Sequence, residues 1–428
     1  MSVDYKTLDA QVSSIISEQV ANGWLLDQKK VLLLLSDLKE KKDEYERQVH
    51  KTFPPVYTRI REVTPKFRKD GCLSPVGIKY LGDSWCDVGG VHTRVELVDF
   101  NLGSRQQIAE RLQASGWVPT EFTETGHPIV SEATLEGLQQ YPEAQLIANY
   151  LMVQKRIAMA QSWLDFVGPD GRVHGEVDPL GCITTRMSHS NPNMGQVTAS
   201  SKPYGSTMRE CWIARKGYCI VGMDASGLEL RMLAHYMDDD AYTSELLEGD
   251  IHSVNQKAAG LDTRDMAKTF IYAFLYGAGD AKIGSIIGGT AKDGRQLKQR
   301  FLKNLPALKT LKENVGNASK RGWLKGLDGR KIVVRSQHAA LNTLLQGAGA
   351  IVMKQALVNL SRFARAQDLS FYFVGNIHDE IQTEVLESQA DRFGKLACFA
   401  MAKAGSDFNL RIPLAGEYKV GNSWKETH

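Results

Sequence analysis

The sequence predicts a mixed α+β chain in which strands and helices are segregated rather than alternating. Three observations carry this. Strand-like apolar runs concentrate in two stretches, residues 168–237 and 342–428. The intervening 238–341 reads as helical, and residues 1–167 are also largely helical. Its 428 residues, 43% of them apolar, suffice for more than one packed domain.

The elements follow in order. Leu8, Val12, Ile15, Ile16 and Val20 keep helical spacing, Asn22-Gly23 breaks it, and a charged second helix runs to about Val49, predicting a helical hairpin. Phe53 to Gly90 is rich in Gly and Pro with weak periodicity, predicting an extended insertion with short strands. Helices resume near Ser104 to Ser115 and Glu143 to Phe166. Tyr218 to Met223 reads as a buried strand ending at Asp224. Phe371 to Val374 reads as a strand entering a tight turn at His378-Asp379, with Ile381 to Val385 returning. No internal repeat or low-complexity segment stands out. Gly277-Ala278-Gly279 lacks the preceding strand and the glycine spacing of a phosphate loop.

Two distant segments suggest chemistry. Asp224-Ala225-Ser226-Gly227-Leu228-Glu229-Leu230-Arg231 and Ile377-His378-Asp379-Glu380 each place acids at the end of an apolar, β-rich run. Strand-end carboxylates that converge can hold a pair of divalent cations, ~3.5–4 Å apart, that stabilise the attacking and leaving oxygens of a phosphoryl transfer. Mg²⁺ suits the task because it takes few carboxylates and leaves positions open for phosphate oxygens. Each segment also has an ordinary reading, Asp before a helix as an N-cap and Asp in a hairpin as turn chemistry.

Between them, Arg264, Lys268, Tyr272 and Tyr276 recur every four residues. Each step of four advances ~40° around an α-helix, so the four form one slowly winding stripe. Thr263 is the expected N-cap and Gly277 the expected stop, with Ala267, Ile271 and Phe274 on the apolar face. Arg grips phosphate bidentately, Lys acts as a point charge, and an aromatic ring on the same face can stack on a base. An amphipathic helix with two solvated cations would show the same pattern.

The net charge of +3 does not by itself indicate nucleic acid, but Lys292 to Arg335 and His50 to Lys79 are locally basic. The cysteines Cys72, Cys86, Cys182, Cys211, Cys219 and Cys398 have no CxxC or Cys/His zinc spacing and read as reduced thiols. No signal peptide is evident, and the longest aliphatic run, Val31 to Leu35, is far too short to cross a membrane.

Taken together and in order, the three segments resemble motifs A, B and C of the DNA polymerase A family, with the likeness greatest to the replicative polymerases of short-tailed bacteriophages. Asp224 to Met237 looks like motif A, Arg264 to Gly277 like the fingers helix of motif B, and His378-Asp379-Glu380 like the HDE of motif C. Gly116 to Thr120, Arg186-Met187 with Asn191-Pro192-Asn193, Gly249-Asp250-Ile251-His252, Gly326 to Arg330 and Ala339 to Ala350 are also similar to that family. The likeness runs from about Gly23 to Trp424 and is weakest between His50 and Phe100.

The resemblance implies a right-hand polymerase fold with a discontinuous β-rich palm, helical fingers and a helical thumb. It places the thumb at 1–167 with an insertion at 50–100, the palm at 168–237 and 342–428, and the fingers at 238–341. It implies two Mg²⁺ held by Asp224 and Asp379, Glu380 in support, and Lys268 as a proton donor to pyrophosphate. Glu229, His252, Arg264, Lys268 and Tyr272 match residues that contact the incoming dNTP, Glu229 by excluding a 2′-hydroxyl and Tyr272 by tolerating dideoxynucleotides. Arg186, Tyr276, Asn342, Gln346 and His378 match DNA-contacting positions. Thr185 departs from the family, which commonly has Gly before this Arg.

Primer–template DNA and dNTPs are the implied partners of a cytoplasmic monomer, in the host cell if the source is viral. No Asp-x-Glu exonuclease motif precedes the thumb-like helices, so a separately encoded exonuclease is a further implied partner, or else the chain is a fragment. The insertion lies where some phage polymerases bind host thioredoxin, yet is shorter, which leaves that partner open. A single-subunit RNA polymerase and a catalytically inactive DNA-binding accessory protein are the rival readings. Glu229 weighs against the first, and the intact Asp224, Asp379, Arg264 and Lys268 against the second.

Overall fold

The computed structural model describes residues 3–64, 66–72 and 91–428. The chain opens with α1 (Tyr5–Asn22), β1 (Trp24–Leu26) and α2 (Gln28–Thr52), then β2 (Val56–Val63), β3 (His92–Val98), α3 (Arg105–Ala114), α4 (Glu132–Glu136) and α5 (Pro142–Phe166). Short strands follow: β4 (Arg172–Val173), β5 (Glu176–Asp178), β6 (Ser188–Ser190) and, after α6 (Gly205–Glu210), β7 (Trp212–Ile213). β8 (Tyr218–Ala225) leads into α7 (Leu228–Met237), α8 (Asp240–Glu248), α9 (Ile251–Ala259), α10 (Arg264–Leu275), α11 (Asp280–Ile286), α12 (Ala291–Asn304) and α13 (Pro306–Ser319). The ribbon β9 (Trp323–Lys325) and β10 (Lys331–Val333), α14 (Ala340–Ala366), the hairpin β11 (Phe371–Ile377) and β12 (Glu380–Leu386), α15 (Ala390–Asp407) and β13 (Gly416–Gly421) complete the chain, with a final helical turn at Trp424–Thr427.

The chain divides into two compact units, Met1–Leu32 with Gln161–His428, and Leu33–Ala160. The larger is organised on an antiparallel sheet of order β11-β12-β8-β13. β8 is paired on both edges, by β12 and β13, and α15 and the final helical turn pack on it, so most of its length is buried, which suits its run of Cys219, Ile220, Val221 and Met223. α15 packs on β8 and β13, and α14 packs on α15. The helix α14 is apolar on most faces, as its burial requires.

Residues 1–32 belong to the larger unit, apart from the helices that follow them. Leu8, Val12, Ile15 and Ile16 join the core of the larger unit, and α1 packs on β11 and α14. The stripe that predicts the helix is the same stripe that fixes its partner, but a stripe names no partner. Trp24 of β1 likewise meets Trp212 and Trp424 at ring separations of 5.6 and 5.0 Å.

The smaller unit has its own core, from Val49 and Phe53 through Ile108 and Leu112 to Ile147 and Ala148. Ser104 caps α3 by accepting from the Gln107 amide. The expected short strands of the insertion are β2 and β3, an antiparallel pair with a bulge between Arg59 and Arg61. Much of the insertion, with Cys86, lies outside the described residues. Among the described residues no helix is long and apolar enough to cross a membrane.

Candidate active site

The geometry starts at the end of β8. Asp224 stands opposite Glu380 of β12 and Glu417 of β13, and the Ala225 amide donates to the Asp379 carbonyl at 3.0 Å. Ile377 pairs with Glu380, so His378 and Asp379 are the two turn residues of the β11–β12 hairpin. His378 takes φ +55°, the left-handed conformation that such turns need. The distant acids are therefore neighbours because one strand-end and one hairpin turn share a ladder. β8 continues one residue beyond Asp224, so the carboxylate projects from the last residues of the strand itself.

These carboxylates crowd one another. Asp224 reaches solvent, yet desolvation in the cleft and the charges of Glu380, Glu417 and Glu229 push its carboxyl up to about 6. Asp379 is pushed up to about 7 by burial, then by Glu229, Asp224 and Glu380, against the opposing pull of Arg186. Arg186 Nη2 lies 3.7 Å from Asp379 Oδ1 and 3.5 Å from Glu229 Oε1. A cation between the two aspartates would relieve this repulsion, so the donor set fits a hard divalent ion. Among the described residues no group of three or more His, Cys, Asp or Glu side chains is placed to hold a metal ion. Mg²⁺ needs few protein carboxylates because substrate phosphates and water fill its remaining positions.

Glu380 has a different task. It is buried and engaged by Gln382 Nε2 (3.0 Å), His428 Nδ1 (3.0 Å) and Trp424 Nε1 (3.4 Å), with Arg209 Nη1 at 3.6 Å. Burial alone would raise its pKa, but the His428 hydrogen bond and the Arg209 charge outweigh it and hold the carboxyl below its ordinary range. Arg209 also stacks over Trp424, 4.3 Å from the ring centroid. Arg209, Gln382, Trp424 and His428 were not visible as site residues in the sequence. The one available signal was that a Glu beside a strand-end Asp needs a counter-charge, and this does not say which cation supplies it.

On α10, Thr263 is the N-cap, accepting from the Met266 amide, and Ala267, Ile271 and Phe274 are buried. Arg264, Lys268 and Tyr276 are exposed and Tyr272 half-buried. The helix ends at Leu275, with Gly277 beyond it at φ +74°. Tyr276 donates to Glu229 Oε1 at 2.8 Å, so the stripe connects through Glu229 and Arg186 to Asp379. At the other end, Arg264 donates to both oxygens of Asp250, Nε to Oδ2 at 2.8 Å and Nη2 to Oδ1 at 3.2 Å. That pairing was also missed, since the sequence showed Asp250 only as part of a family-like segment beside His252; it is also the N-cap of α9. His252 lies 6.3 Å from Tyr272 between ring centroids. Burial and the nearby Arg264 and Lys268 charges lower its pKa.

Asn342 and Gln346 lie one turn apart on α14, half-exposed where their neighbours are buried. His378 is exposed, its Nε2 3.1 Å from the Gly195 carbonyl. Thr185, in place of the family's glycine, takes φ +62°. The fold thus brings Asp224, Asp379, Glu380, Glu229, Arg186 and Tyr276 together through direct contacts, register or mutual charge. Asn342 and Gln346 stand on α14, half-exposed and outside this set.

Residues 90–426 match the family model of DNA polymerase family A. The chain is 38% identical to a DNA-directed DNA polymerase of Enterobacteria phage T3 and 37% identical to one of Escherichia phage T7. Each likeness covers 100% of this chain and 70% of the relative. Among solved structures, the POL domain of Pol1 from M. smegmatis, in complex with DNA primer-template and dNTP, matches with a TM-score of 0.81 at 19% identity. That match covers 98% of this chain and 70% of the other, and establishes the α+β polymerase-domain fold. The chain belongs to DNA polymerase family A.

Proposed function

We propose that the chain performs template-directed DNA synthesis, joining dNTPs to a primer 3′-hydroxyl and releasing pyrophosphate. The observation that carries this reading is the continuous path from the crowded Asp224–Asp379 pair, through Arg186 and Glu229, to the cationic stripe of α10. When bound, a pair of Mg²⁺ ions supplies neutralising charge to the attacking and departing oxygens, with Asp224 and Asp379 as the residues that would hold them. The remaining work is positioning and electrostatics. Arg264 and Lys268 bind the triphosphate, and Lys268 gives a proton to the leaving pyrophosphate. His252, whose pKa its surroundings lower, hydrogen-bonds a phosphate oxygen. Glu229, fixed by Tyr276 and Arg186, closes the space beneath the sugar against a 2′-hydroxyl. Tyr272 lies beside the sugar and Tyr276 beside the template base. Arg186, Asn342 and Gln346 offer donors to the minor-groove acceptors common to all correct pairs, and His378 touches the primer strand.

On this reading residues 33–167, with their insertion, form the thumb. Residues 168–237 and 342–428, with α1, form the palm, and 238–341 the fingers. The partners are primer–template DNA and dNTPs, with a separate exonuclease or an accessory protein at the insertion as further candidates. Extension of a primed template with Mg²⁺, comparing dNTPs with NTPs, tests the activity and separates it from RNA synthesis. Asp224→Asn and Asp379→Asn should each abolish incorporation, by about a thousandfold or more if a ligand worth several kcal/mol is lost. DNA affinity should be largely kept, since phosphate contacts elsewhere persist. Near-normal extension by either variant would overturn the assignment.

A further inference from the structure

The β9–β10 ribbon has two unlike faces. Leu324 and Ile332 point into the core, while Lys325, Lys331 and Val333 are exposed and Trp323 is half-exposed. The register sets Lys331 opposite Lys325 and Val333 opposite Trp323, so all four share the outer face. Like charges directly opposite one another oppose strand pairing. Trp323 is covered by Arg321, whose Cζ lies 3.8 Å from the ring centroid, and by Lys331 Nζ at 4.9 Å. Lys320 and Arg335 flank the ribbon and are exposed. Asp328 is the lone carboxylate from Lys320 to Arg335, and it is buried and held by Arg330 at 2.7 Å. Among the described residues Lys320, Arg321, Lys325, Lys331 and Arg335 form no ion pair with a carboxylate.

We propose that this face binds single-stranded DNA, the unpaired template ahead of the primer terminus. Uncompensated cations on an ordered ribbon are complementary to a chain of phosphates, and paired lysines become favourable when a phosphate lies between them. The stacked Arg321–Trp323 pair adds a flat π surface, which unpaired bases can use and the stacked bases of a duplex cannot. An acidic peptide would satisfy the lysines but would leave the Arg–Trp stack without a purpose. The source of the strand rests on the template-directed reading above, whereas the single-strand chemistry does not.

The test measures binding of the full chain to two primer–templates, one blunt and one with a long 5′ template overhang, across a salt series. Wild type should gain affinity from the overhang. In Lys325→Gln/Lys331→Gln that gain should shrink, and the salt slope on overhang DNA should fall by ~1.4, at ~0.7 per phosphate contact on a single strand. Trp323→Leu should lose roughly tenfold of the gain with little change of slope. Blunt-duplex affinity should stay unchanged in all variants. Removing a repulsive lysine pair does not threaten folding, and unchanged thermal unfolding of Lys325→Gln/Lys331→Gln checks this.

An overhang gain equal to wild type in both variants, or an equal loss on both DNAs, would overturn the proposal. So would displacement by polyglutamate at the concentration where oligo-dT displaces, which would assign the face to an acidic peptide. Failure of dNTP incorporation with the overhang effect intact would sink the polymerase reading and leave this face a single-strand binder.

Discussion

Thr185 sits at φ +62° with its hydroxyl buried and without a hydrogen-bond partner. A β-branched residue at that φ is strained, and the left-handed region costs an L-residue about 1–2 kcal/mol. The turn holds it there through the Thr185 amide to the Cys182 carbonyl and the Cys182 amide to the Arg186 carbonyl. The strain is therefore spent one residue before the guanidinium that bridges Asp379 and Glu229. Thr185→Gly should relieve it and raise stability by about 1 kcal/mol after the added chain entropy of glycine is subtracted. A higher denaturant midpoint with unchanged slope is the expected result, and an unchanged midpoint would mean the turn relaxes around threonine at no cost. The missing glycine was legible in the sequence as a departure from the family. That this position needs a positive φ was not, because a turn's handedness depends on the strands it joins.

At the scale of elements, α14 shows what local pattern can and cannot deliver. It is apolar on most faces and buried, yet Lys354 lies within it at 2% exposure. The Lys354 ammonium has no hydrogen-bond partner among the described residues, and its nearest carboxylate oxygen, on Asp9 of α1, is 4.0 Å away. Asp9 is already engaged by Arg330 at 2.8 Å. Burial, then the Arg330 charge, lowers Lys354 to about 8 from an ordinary 10.5, against the pull of Asp9, Asp328 and Asp178. The sign follows from proton counts. Between about 8 and 10.5 the unfolded chain keeps a proton that the folded chain has released, so this group makes stability rise with pH across that window. Below it the full cost is present. Lys354→Met should therefore stabilise the protein at pH 7 by an amount on the order of 2–3 kcal/mol, and by less at pH 9.5. A wild-type-to-variant difference in unfolding midpoint that stays constant from pH 7 to 9.5 would show that the ammonium is solvated after all. The β11–β12 hairpin, by contrast, was readable because its strands, turn and acids are contiguous in sequence. The Arg209–Trp424–His428 backing of Glu380 joins residues far apart in the chain, and long-range pairing leaves no local trace.

At the scale of the whole molecule, charge distribution matters more than the net +3. In the smaller unit, Lys51, Arg59, Arg61, Lys66, Arg68 and Lys69 are all exposed on or beside the β2–β3 ribbon. The bulge between Arg59 and Arg61 twists the ribbon locally and breaks the alternation, so its cations do not all share one face. Arg59 has Glu62 at 3.5 Å, an exposed pair that a phosphate can displace at little cost. Tyr57, opposite Leu97, adds exposed apolar surface on the same ribbon. The sequence marked this region by its position and its basic charge, and neither separates a DNA-gripping ribbon from a solvated excursion. Salt dependence does. Each duplex phosphate contact contributes ~0.9 to the slope of log affinity against log salt. If the six cations grip DNA, replacing them all by Gln should lower the duplex slope by ~0.9 for each contact actually made and should shorten the product per binding event. A slope and product length equal to wild type would assign these cations to solvent and leave the ribbon's apolar side chains as the part that needs a partner. A rise in product length on adding thioredoxin, in wild type and the Gln variant alike, would identify that partner and show that its contact does not depend on the six cations.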